Sequence, residues 1–86
     1  MAEEKEIGKI SHYFSKISVA AFKVEKEGLK VGDVIHIKGH TTDFTQKIES
    51  IQLEHKSVNE AKPNDDVGIK VKDHVREHDV VYKVIE

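Results

Sequence analysis

Six histidines, His12, His36, His40, His55, His74 and His78, carry the widest chemical range in this 86-residue chain. An imidazole can ligate a metal, move a proton or carry a pH-dependent charge. His74 and His78 are four apart, so a helical turn over 73–78 would bring both to one face as a candidate metal pair. A third and fourth donor in register is missing, and there is no cysteine. Solvated surface histidines, with no bound metal and no cofactor, are therefore the simpler expectation. Protonating all six would move the formal charge from -2 to +4, near their unperturbed pKa of about 6.5.

Other reactive types lack partners at useful spacing. Ser11 and His12 are adjacent, but neighbours in a strand point to opposite faces and cannot pair as nucleophile and base. Gly8-Lys9 is followed by Ile10, and no second glycine precedes it as a phosphate loop requires. There is no Asn-Lys-x-Asp guanine motif. The chain is expected to bind no nucleotide and to catalyse nothing. Lys9, Lys38, Lys70 and Lys72 fall on outward positions of strand-like segments. With Tyr13, Phe14 and Tyr82 as stacking groups they could contact single-stranded RNA. On the simpler reading Phe14 and Tyr82 are mainly core.

Strands must position these groups. The segment 6–14 has Ile10 inward, and 17–24 has Ala20, Phe22 and Val24 on one face. Gly32-Asp33 is a turn, with glycine supplying a left-handed backbone, and Ile35 and Ile37 then point one way to Gly39. From Phe44 to His55 the apolar phase slips between Ile48 and Ile51, the mark of a bulge or corner. The segment 57–62 is short and irregular, and Pro63-Asn64-Asp65-Asp66 is a turn. Val67, Ile69 and Val71 alternate with polar residues or glycine, Val75 is tucked inward, and 80–85 closes the chain. About six strands and no helical periodicity predict an all-β, small closed six-stranded barrel, a single domain over 1–86 with 1–5 frayed.

A net charge of -2 gives no global pull toward polyanions. No run approaches the roughly 20 apolar residues of a membrane span. The acidic start is unlike a signal peptide, so a cytoplasmic location without membrane contact is expected.

Ile7-Gly8-Lys9-Ile10, Leu29-Lys30-Val31-Gly32-Asp33, Asp65-Asp66-Val67-Gly68-Ile69 and 75–81 form an ordered series. In that order they resemble the β-barrel second domain of the translational GTPases, the elongation factor Tu family. Asn64 and His78 stand where that family often has glycine. His12-Tyr13-Phe14-Ser15-Lys16-Ile17 is more similar to the C-terminal barrel of collagenase-like peptidases. In both families the barrel is an accessory module without chemistry of its own. The first resemblance implies a translation-factor-like binding module that touches RNA or a ribosomal partner. The second implies a protein-interaction module.

Overall fold

The computed structural model describes residues 3–25, 27–54 and 56–85. They form ten strands: β1 (Glu3–Phe14), β2 (Val19–Lys23), β3 (Leu29–Lys30), β4 (Val34–Lys38), β5 (Asp43–Lys47), β6 (Ile51–Leu53), β7 (Lys56–Val58), β8 (Glu60–Ala61), β9 (Asp66–Lys70) and β10 (Val80–Ile85). Among the described residues no helix is long and apolar enough to cross a membrane.

The all-β expectation holds, and the closed six-stranded barrel does not. Eight strands form an open antiparallel sheet in the order β5-β4-β10-β1-β2-β9-β6-β7, and β3 pairs with β8 apart from it. Among the described residues the edge strands β5 and β7 do not ladder with each other, so the sheet stays open, and the chain changes partners between β5 and β6. β5 ladders with β4, whereas β6 ladders with β9 and β7. The slip in apolar phase after Ile48 is this change of partner. A turn braces it: Gly32 N–H donates to the Ile48 carbonyl and Ile48 N–H to the Asp33 carbonyl.

β1 spans both halves of the sheet, along β10 at its start and β2 at its end. Its ladder slips between Glu6 and Gly8 and again between Ile10 and His12. Each slip reverses which parity faces inward, so Ile7 and Ile10 are both buried. The paired part begins at Glu3, so Glu3, Glu4 and Lys5 are strand rather than frayed end, and Met1 and Ala2 lie outside the described residues.

The core gathers Ile7, Ile10, Phe22, Val24, Leu29, Ile35, Ile37, Ile51, Ile69, Val75 and Val81, each almost wholly buried. On β10 it is Val81 that enters, and Val80, Tyr82 and Val84 are half-buried.

Gly32 has φ 100°, as its turn requires. Asn64 and His78 also sit at positive φ, 78° and 76°, so both keep the backbone form that glycine would supply. Residues 73–78 are not a helical turn. His78 N–H donates to the Ile10 carbonyl, while the Asp79 carboxylate accepts the Arg76 N–H at 2.9 Å. The buried Asp79 also explains Gly39, since a Cβ there would collide with its carboxylate.

Candidate functional site

The β1–β2 hairpin ends in a tip that sheds apolar surface outward. Phe14 pairs with Val19, and Ile17 N–H donates to the Phe14 carbonyl across the turn. Ser18, at φ 55°, reverses the chain into β2. The slip between Ile10 and His12 decides which side chains face out. Without it Phe14 would share the buried face of Ile10. With it Tyr13 packs on the core, and His12 and Phe14 point to solvent. Phe14 is 46% exposed and Ile17 59% exposed, which corrects the expectation that Phe14 is mainly core. Tyr82 is half-buried.

Behind the tip a shallow groove of about 310 Å³ crosses the outer face of β2, β9 and β6. Its floor is low where the small residues Ala21 and Gly68 lie opposite each other, with Gln52 on the far side of Gly68. Phe14, Ile17 and Val19 form one wall, and Glu54 and Asp66 also line it. An apolar wall over a floor of small residues suits a partner side chain, since large exposed apolar surface is uncommon without one.

The lysines do not share one surface. Lys9 and Lys38 flank Val80 in one cross-strand row. Lys70 lies in the row of Val19 and Phe14, five positions along β1 from Lys9. At about 3.3 Å per residue that alone separates them by roughly 17 Å. Lys70 and Lys72 instead line a separate cleft with Lys47 and Glu49.

The histidines scatter as well. The ring of His74 packs edge-on against Tyr13 with centroids 4.7 Å apart, and His78 is exposed in its turn. No helix aligns the two. Among the described residues no group of three potential ligands could hold a metal ion. His12 lies 3.8 Å from the Glu77 carboxylate with its ring against Phe14, His40 is exposed, and His55 lies outside the described residues.

His36 differs from the rest. Its side chain is 16% exposed, with Nδ1 2.8 Å from Glu4 Oε2 and Nε2 2.5 Å from Asp43 Oδ1. The Asp43 carboxylate, then Glu4, raise its pKa above 6.5 against the opposing effect of burial. The hydrogen bond from His36 holds Asp43 below its ordinary 3.8. With both ring nitrogens engaged, His36 has no lone pair to offer a metal or a reacting proton. The serine beside a histidine is likewise committed, since Ser11 Oγ donates to the Ala21 carbonyl at 3.1 Å.

No family model matches the chain. Individual proteins do. An uncharacterized protease of Methanocaldococcus jannaschii is 40% identical over 82 residues, 94% of this chain and 20% of the relative. A collagenase of Porphyromonas gingivalis is 40% identical over 78 residues, 90% of this chain and 22% of the relative. The chain is similar to one-fifth of a peptidase. The chain also has solved counterparts: the C-terminal domain of a Geobacillus thermoleovorans protein assigned to the U32 peptidases superimposes with a TM-score of 0.82. Identity there is 25%, covering 90% of this chain and 89% of that one. The selenomethionine variant of that domain gives a TM-score of 0.83 at 24% identity.

These relatives support the collagenase-like resemblance and not the elongation factor Tu resemblance. They correct the expected translation-factor role. The stretch 12–17, which carries the collagenase-like resemblance, is the exposed hairpin tip.

Proposed function

We propose that this chain is a non-catalytic accessory module of the U32 peptidase type. Its hairpin tip docks on the catalytic portion of such a peptidase. The observation that carries the reading is the pair of exposed apolar side chains at the hairpin tip, Phe14, turned outward by the bulge in β1, and Ile17, in the turn itself. Two facts support the choice of occupant. The matching segments belong to chains about five times longer, so in those proteins the module sits beside a much larger body. The groove behind the tip is open and floored by small residues, as a docking surface for side chains needs. The commitment of Ser11 Oγ and of both His36 nitrogens supports a module without chemistry of its own.

A graft tests this. In the Porphyromonas gingivalis collagenase, deletion of the matched 78 residues should lower gelatin cleavage, and this chain grafted in their place should restore it. A graft carrying Phe14→Ser and Ile17→Ser should fold but not restore it. The isolated chain should cleave neither gelatin nor short peptides. Hydrolysis by the isolated chain, or full restoration by the doubly substituted graft, would overturn the proposal.

A further inference from the structure

His36 stands mid-row on the outer face, between Thr45 of β5 and Tyr82 of β10. Its two nitrogens reach in opposite directions. Nδ1 meets Glu4, on the N-terminal part of β1 before the first bulge, and Nε2 meets Asp43, at the start of the edge strand β5. A neutral imidazole has one donor, so its other nitrogen would then present a lone pair to a carboxylate. Only the doubly protonated ring satisfies both partners, with charge-assisted bonds on each side.

We propose that His36 is a proton-operated latch that holds the start of β1 and the edge strand β5 onto β4, and releases one of them when it loses a proton to solvent. The charged and titratable groups around it favour the closed form at neutral pH. β1 contributes Glu4 and Glu6, the latter opposite Tyr82. β10 contributes Tyr82, whose ring centroid lies 6.2 Å from that of His36. β5 contributes Asp43 and Lys47, and β4 contributes Lys38, opposite Asp43. Lys83, also on β10, is engaged with Asp33 at 3.5 Å. Two carboxylates thus contact the ring and no ammonium does. The latched strands are exposed to loosening because β5 has a ladder on one side alone. A rise in pH is the signal that would free it, and a freed edge strand is a template for pairing with another chain.

Imidazole and amide NMR of the whole chain across pH 5–9 tests the latch. His36 should titrate above the ordinary histidine value of about 6.5. Each unit above about 6.5 is a tenfold preference for the closed form. The amides of 3–6 and 43–47 should lose protection through that same midpoint, beyond the intrinsic rise seen at Ile35 and Ile37. His36→Gln should abolish the step. Glu4→Gln and Asp43→Asn should each lower the His36 midpoint, a readout that stands even if His36→Gln fails to fold. A His36 midpoint at or below about 6.5, or protection unchanged through it, would overturn the proposal.

Discussion

Gln46 and Lys72 join the two sides of the sheet where its ladders do not. The Gln46 side-chain carbonyl accepts the Lys72 N–H at 2.9 Å, and its amide group donates to the Lys70 carbonyl at 2.8 Å. One side-chain amide thus does for β5 and the end of β9 what a backbone ladder would do in a closed barrel. Gln46→Ala removes two bonds worth about 1 kcal/mol each. The urea midpoint should fall accordingly, with the slope little changed. Gln46→Glu should lose at least as much, because a carboxylate would face the Lys70 carbonyl.

Gly32 and Gly39 should fail for different reasons. Nothing lies within 4 Å of a Cβ built at Gly32, so only its φ of 100° resists substitution. Gly32→Val should cost roughly 1–3 kcal/mol, and Gly32→Asn much less, because Asn tolerates the left-handed region. At Gly39 a Cβ meets the buried Asp79 carboxylate, which caps Arg76 N–H. Gly39→Ala should therefore destabilise more than Gly32→Ala in thermal melts.

His78 holds a left-handed backbone with a side chain that is exposed. A non-glycine residue there carries a penalty of about 1–2 kcal/mol. His78→Gly should raise the melting temperature, and Asn64→Gly should raise it less. A lower melting temperature for His78→Gly would mean that the imidazole contributes more than the strain it imposes.

The inward pattern was legible in the sequence wherever a strand keeps one register. Ile35 and Ile37, Val67 and Ile69, and Ala20 and Phe22 are buried as their alternation requires. The positive φ at Gly32 was legible from turn chemistry, whereas that at His78 was not. What escaped lies at the bulges and in the pairing. Nothing in Gly8–Phe14 announces that alternation reverses after Ile10, and that reversal is what turns Phe14 outward. The partners of His36 escaped for a related reason. Glu4 is 32 positions away, and only the route β1-β10-β4 brings it near.

His36 and Asp43 make stability depend on pH with opposite signs. His36 has a raised pKa, so its contribution is complete below the unfolded value of about 6.5 and is lost as pH rises through the folded value. Asp43 has a lowered pKa, so its contribution is complete above 3.8 and is lost as pH falls through the folded value. The advantage of wild type over His36→Gln in thermal melts should be greatest between those two limits and shrink on either side. An advantage that does not vary from pH 4 to pH 9 would contradict this.

Phe14→Ser with Ile17→Ser separates docking from folding. Both side chains stand at the surface, so truncating them opens no internal cavity, and the melt should change by no more than about 1 kcal/mol. Tyr13, which packs on the core beside them, is the control: Tyr13→Ser should destabilise clearly. If the tip docks on a peptidase body, the double substitution should leave the grafted module folded and weaken its hold on that body. The sign is limited proteolysis, with the graft released sooner from the doubly substituted chimera than from the unsubstituted one. Equal release rates, with both modules folded, would place the contact on another face of the sheet.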